Sequence, residues 1–319
     1  MLINFLFLLG GLALLAAGAD RFVDGAAALA RNIGMSPMVV GLTVVAVGTS
    51  APEMLVSAMA ASTGNSGIAL GNVLGSNIAN MTLVIGVSAL VVPLVVASAT
   101  LRREFPILLA VTALAWLLIA DGALSRLDSV ALAVAFVGVL WFIVRSAHQA
   151  RHTDPLRREL DAQHEQSMSP RRALAWLVLG LTVLLVGSKL VVFGATEIAR
   201  GFGVSDLIIG LTVVAIGTSL PELAASVGSA LKGQPDMAIG NVLGSNMCNL
   251  LPVLAIAGMI GPFSVDSEAL TRDFPIVAIL TVVFFVMCIG LRGPGRVTRF
   301  EGSILLVMFM GYQAMLYFA

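Results

Sequence analysis

GLTVVAVGTSAPEMLVSAMAASTGNSGIALGNVLGSNIAN, residues 41–80, returns as GLTVVAIGTSLPELAASVGSALKGQPDMAIGNVLGSNMCN, residues 210–249. The two stretches align without a gap at an offset of 169, with 23 identities in 40 positions. The same offset pairs Gly18 with Gly187, Arg31 with Arg200, and Arg103-Glu104-Phe105-Pro106 with Arg272-Asp273-Phe274-Pro275. The 319-residue chain therefore reads as two halves, 1–145 and 172–319, joined by the polar segment 146–171.

Composition says where those halves live. Hydrophobic residues make up 58% of the chain and charged residues 11%, whereas a water-soluble domain keeps roughly a quarter of its residues charged. Lipid must cover most of the surface. Basic and acidic residues balance at 18 each, so no global positive field points to a nucleic-acid partner. Cys248 and Cys288 sit in apolar stretches without CxxC or CxxH spacing, so neither a thiolate metal site nor a disulfide is expected, and no cofactor is implied. The apolar run Leu2 to Ala17 lacks the basic start of a signal peptide and reads as a first transmembrane helix.

Stretches apolar enough to cross about 30 Å of hydrocarbon fall near 3–30, 37–62, 67–92, 105–120 and 127–145, and again near 172–199, 206–231, 236–260, 274–291 and 300–318. The expected fold class is all-α: ten transmembrane helices in two five-helix repeats. An odd number of spans per repeat makes the second enter the membrane inverted. With both termini outside, thirteen Lys and Arg fall in inside loops and three, Arg126, Arg200 and Arg272, in outside loops, as the positive-inside rule requires. The 145–172 linker, which carries His148, His152 and His164 at irregular spacing, is then a solvated cytoplasmic loop. An inner-membrane, multi-pass protein is expected, as a monomer.

Chemistry concentrates in the repeated motif. Gly48-Thr49-Ser50-Ala51-Pro52-Glu53 and Gly217-Thr218-Ser219-Leu220-Pro221-Glu222 each place a carboxylate in mid-span, where it costs roughly 2.5–3.5 kcal/mol on insertion scales and marks a functional candidate. Pro52 and Pro221 have no amide hydrogen, so the helix should break there and leave the carbonyls of Gly48 and Gly217 without helical donors. Carboxylate, hydroxyl and carbonyl oxygens are what calcium or sodium takes as ligands, with no sulfur or imidazole on offer. Ser50-x-x-Glu53 and Ser219-x-x-Glu222 also fit capping boxes. In the second motif Asn72, Ser76 and Asn80 recur every fourth residue, as do Asn241, Ser245 and Asn249, and each trio lines one helix face. Asn72 and Asn241 are read either as site residues or as bridges between helices. The spacings Gly71 to Gly75 and Gly240 to Gly244 permit close helix approach. Asp20, Arg21, Asp24, Lys189 and Glu197 interrupt apolar helices and read as structural or gating residues, with Arg21 and Asp24 spaced to pair and Lys189 able to snorkel.

GLTVVAVGTSAPE with GNVLGSNIAN, and GLTVVAIGTSLPE with GNVLGSNMCN, resemble the two α-repeats of the sodium/calcium exchanger family in the calcium/cation antiporter superfamily. The short chain is similar to its prokaryotic inner-membrane members. The resemblance implies that the second, third, seventh and eighth helices surround the ions while two long tilted helices slide over them. It implies that Glu53 and Glu222 ligate calcium and are shared with sodium, that Thr49 and Thr218 offer backbone carbonyls, and that Ser50, Ser219, Ser76 and Ser245 offer side-chain oxygens. Ala46 and Ala215 would offer carbonyls to sodium. The family often carries Asp at the last polar position of the second repeat, where this chain has Asn249 opposite Asn80.

Two carboxylates balance one calcium or two sodium ions, so the two should compete, and exchange follows from competition. The expected function is a secondary active calcium/sodium antiporter that alternates its access. A proton-driven cation antiporter is the nearest rival, and a passive cation channel a further one. No Ser/His or paired-Asp arrangement lies within the helices, so an enzyme is not expected.

Overall fold

The computed structural model describes residues 2–96, 98–153, 168–203, 215–289 and 295–318. The first half runs α1 (Leu2–Ile33), α2 (Pro37–Thr49), α3 (Ala51–Ser62), α4 (Gly67–Val91), β1 (Leu94–Val95), α5 (Ser98–Leu118), β2 (Ala123–Leu124) and α6 (Arg126–Thr153). The second half follows with α7 (Pro170–Gly201), α8 (Ala215–Thr218), α9 (Leu220–Leu231), α10 (Pro235–Ile260) and β3 (Phe263–Ser264). It ends with α11 (Ala269–Ile289), β4 (Arg296–Val297) and α12 (Arg299–Phe318).

Six of these helices, α1, α4, α6, α7, α10 and α11, are long and apolar enough to cross a membrane, and α2 with α3 makes a seventh, bent span. The chain is thus a multi-pass helical membrane protein. Helices α5 and α12 stand where spans near 105–120 and 300–318 are expected, and the span expected at 206–231 is described only from residue 215. Helix α6 runs on to Thr153, because nothing before Pro155 breaks it. His148 lies on that helix, whereas residue 164 is outside the described residues.

Centre and periphery are distinct. The apolar windows of α4 and α10 are 78% buried, against 22% in α1 and 17% in α6. Exposed leucines, valines and aromatics such as Leu6, Leu127, Val137, Phe193 and Val307 coat the peripheral helices, as a lipid-facing surface requires. Each half lends a strand to each of two short antiparallel ribbons, Leu94 opposite Val297 and Leu124 opposite Phe263. Capping boxes start the last helix of each half: Asp128 Oδ2 accepts from Ser125 N–H at 2.9 Å, and Glu301 Oε2 from Thr298 N–H at 2.7 Å.

Helices α1 and α7, each 32 residues and about 48 Å at 1.5 Å per residue, pack antiparallel along their length. Glycines seven residues apart, Gly11, Gly18 and Gly25 on α1 and Gly180, Gly187 and Gly194 on α7, form the seam. A Cβ on Gly25 would lie 2.5 Å from Leu177 N, and one on Gly180 2.4 Å from Phe22 N. The backbones therefore touch, which is how helices gain dispersion contact when lipid gives no hydrophobic drive. The same device joins α10 to α2, where Cβ atoms on Gly240 and Gly244 would meet Met38 O at 2.5 Å and Leu42 O at 2.4 Å. A Cβ on Gly71 or Gly75 would meet no neighbouring helix within 4 Å among the described residues. Residues 207 and 211, which the repeat sets opposite them, lie outside the described residues.

Candidate cation site

The prolines break the helix as their chemistry demands. Helices α2 and α3 meet at a 43° bend, with Ser50 at φ −79°, ψ 8° between them and Ser219 nearly identical at φ −86°, ψ 4°. Glu53 and Glu222 fall in the first turns of α3 and α9, where the positive end of the helix dipole favours negative charge. Both carboxylates are buried, 1% exposed.

Neutral oxygens surround them. The Ser50 hydroxyl donates to Glu222 Oε1 at 3.2 Å, crossing from one half to the other. The capping-box reading is overturned, since neither Ser50 nor Ser219 makes a side-chain cap bond; Ser50 turns across the centre instead. Ser76, Asn80, Ser245 and Asn249 are all buried on the polar faces of α4 and α10. Thr218 is buried at the end of α8, and Ala215 opens that helix. The carbonyl of Ala46 accepts Ser50 N–H at 3.0 Å. Gly217 is not orphaned: the Ser188 hydroxyl of α7 donates to its carbonyl at 2.8 Å.

Asn72 and Asn241 are bridges. Asn72 Nδ2 donates to the Glu53 carbonyl at 3.1 Å and to Ser57 Oγ at 2.9 Å. Asn241 Nδ2 does the same to Glu222 O at 3.3 Å and Ser226 Oγ at 2.9 Å, and its Oδ1 accepts from Thr49 Oγ1 at 3.2 Å. Ser57 and Ser226 were missed by motif reading, although they too are identical at the offset of 169. So was Asn246, whose Oδ1 accepts from Asn80 Nδ2 at 3.1 Å. Asn80 and Asn249 each begin a π-helical turn, Asn80–Val84 and Asn249–Val253, a feature frequent at functional sites.

One deficit organises the whole centre. Among the described residues no Lys or Arg pairs with Glu53 or Glu222. Glu53 Oε2, Glu222 Oε2, Ser219 Oγ, Asn80 Oδ1 and Asn249 Oδ1 are buried without a hydrogen-bond partner. Uncompensated buried charge costs several kcal/mol per ion, and a cation among these oxygens removes that cost.

The interrupting charges stand apart from the centre. Arg21 does not pair with Asp24 as its spacing suggested. It turns to Asp20 at 3.2 Å and lies over the Trp176 ring, because Asp24 is taken by Lys232 at 2.6 Å. Glu197 pairs with Arg200 at 2.8 Å, and Lys189 is exposed.

Two buried carboxylates with no basic partner among the described residues, set among neutral oxygens in a multi-pass helical bundle, suit a membrane carrier of cations. Residues 3–145 and 172–318 match the family described as sodium/calcium exchanger protein. The chain is 48% identical over 317 residues to the putative antiporter CaxA of Alkalimonas amylolytica, covering 99% of both chains. It is 40% identical to the inner membrane protein YrbG of Escherichia coli strain K12, covering 99% of this chain and 98% of that one. Its fold matches the sodium-calcium exchanger NCX_Mj, soaked with zero Na+ and Ca2+, at a TM-score of 0.84 and 32% identity, covering 98% of this chain and 99% of that chain. The chain belongs to the sodium/calcium exchanger family, a family of transporters.

Proposed function

We propose that this antiporter exchanges calcium for sodium by alternating access, with both ions using the oxygens around Glu53 and Glu222. The observation that carries the reading is the pair of buried carboxylates with no basic partner among the described residues. Their two charges match one calcium or two sodium ions. The ligand set is Glu53 and Glu222 with Thr49, Thr218, Ser50, Ser219, Ser76, Ser245, Asn80 and Asn249, and with the Ala46 and Ala215 carbonyls for sodium. Calcium accepts six to eight oxygens; sodium needs fewer, and more neutral, ones. The exchanger named in the structural match lends weight to sodium as the coupling ion.

The frame is ten transmembrane helices in two inverted repeats, 1–145 and 172–319, with 146–171 cytoplasmic and both termini outside. The two ribbons, each built from one strand of either half, support that pseudo-symmetry. A cysteine introduced at Leu160 is expected to react with an impermeant maleimide only in inside-out vesicles. Labelling of intact cells contradicts the topology.

Asn80 and Asn249 give amide oxygens that do not titrate near neutral pH. Asn249→Asp adds a titratable carboxylate to the site, so exchange in that variant is expected to be more sensitive to acid than in the wild type. Calcium flux against pH, normalised for expression, checks this; superimposable profiles remove Asn249 from the site. Calcium uptake by proteoliposomes under imposed ion gradients tests the function itself.

A further inference from the structure

We infer that Lys232, clasped by Asp20 and Asp24, is a gate residue of the transport cycle that closes one of the two routes to the cation site. The inference rests on the alternating-access reading above. The Lys232 ammonium lies one residue past α9, 2.7 Å from Asp20 Oδ1, 2.6 Å from Asp24 Oδ1 and 2.6 Å from the Asp20 carbonyl. An ammonium has three donors, and all three go to a single turn of α1. Below the clasp the two helices are packed: Gly228 of α9 faces Ala19 and Val23 of α1, and Ser226, Ser229 and Ala230 are buried. Glu222 stands at the other end of α9. Tying the far end of α9 to α1 therefore shuts the route that runs from Glu222 along α9.

Among the described residues the related route, from Glu53 along α3, has no such device. No comparable contact joins α7 to α3 among the described residues. The offset of 169 sets Lys189 and Phe193 opposite Asp20 and Asp24, and Thr63 opposite Lys232. Lys189 is exposed, and Thr63 bonds to Met59 O and Ala60 O of its own helix. A latch on one side only biases the two access states against each other. The favoured state opens along α3, and the clasp must break before the site opens along α9.

The test uses the full chain in membrane vesicles with a cysteine at Ser229, buried on α9 one turn before Lys232. The measured quantity is its rate of modification by an impermeant maleimide from the Lys232 side, with and without calcium; the parent chain, whose Cys248 and Cys288 are buried, is the blank. Lys232→Met is expected to raise that rate roughly three- to tenfold, the range for losing two partly exposed pairs. Lys232→Arg and the reversed pair Asp24→Lys with Lys232→Asp are expected to bring it back. Ala230→Cys serves as a second reporter if Ser229→Cys does not fold. A rate that calcium alters but Lys232→Met does not overturns the latch and leaves alternating access standing. A rate that neither calcium nor any Lys232 variant moves overturns both.

Discussion

Glutamine at position 53 or 222 will lower calcium exchange by at least about 100-fold while leaving the protein folded. A divalent cation draws most of its binding energy from charged ligands, and 100-fold corresponds to about 2.7 kcal/mol, a modest share of what one of two carboxylates supplies. The side chain changes by one atom, so packing is preserved, and the cost of burying an unpaired charge disappears with it. Loss of flux must therefore be ligand loss, not unfolding. Two measurements separate these causes. Calcium at 100 times its Kd stabilises the wild type by about 2.7 kcal/mol through mass action; the glutamine variants are expected to melt at least as high as the ion-free wild type and to show no calcium shift. Wild-type exchange in Glu53→Gln at normal expression contradicts the assignment.

Valine at Gly180 is expected to prevent α1 and α7 from seating. The new Cβ would stand 2.4 Å from Phe22 N and 2.6 Å from Phe22 Cα, backbone atoms that no rotamer change can move aside. Overpacking of this kind costs about 3 kcal/mol, enough to remove much of the folded population of a marginally stable protein. Gly10→Val is the control, because nothing lies within 4 Å of a Cβ there. Monodisperse yield and melting temperature in detergent give the result. Equal behaviour of the two variants contradicts the backbone contact.

The parts of this protein legible in its sequence are those written twice or written in polarity. An offset of 169 exposed the duplication, and a carboxylate in an apolar run is conspicuous whatever the fold, so Glu53 and Glu222 stood out. Proline chemistry foretold the 43° bend. Three things were not legible. The π turns at Asn80 and Asn249 leave no mark, because the same residues satisfy an ordinary α-helix, and Pro252 occurs in only one of them. Side chains with several local options chose distant ones. Ser50 reaches Glu222 rather than its own helix, Ser188 fills the Gly217 carbonyl, and Lys232 claims Asp24 from Arg21, since spacing along a helix says which pairs can form and not which competitor arrives across the fold. The sequence leaves Asn72 and Asn241 open between ligand and bridge for the same reason: both uses want a polar group on the inner face, and only the bonds to the Glu53 and Glu222 carbonyls tell them apart.

The most direct test of the central claim is calcium uptake into proteoliposomes of the purified wild-type protein, loaded with sodium and diluted into sodium-free buffer, beside matched potassium and proton gradients. The account predicts uptake driven by the outward sodium gradient, abolished when sodium is equal on both sides and absent from Glu222→Gln. Uptake that follows the proton gradient alone, or that proceeds in Glu222→Gln as in the wild type, contradicts it.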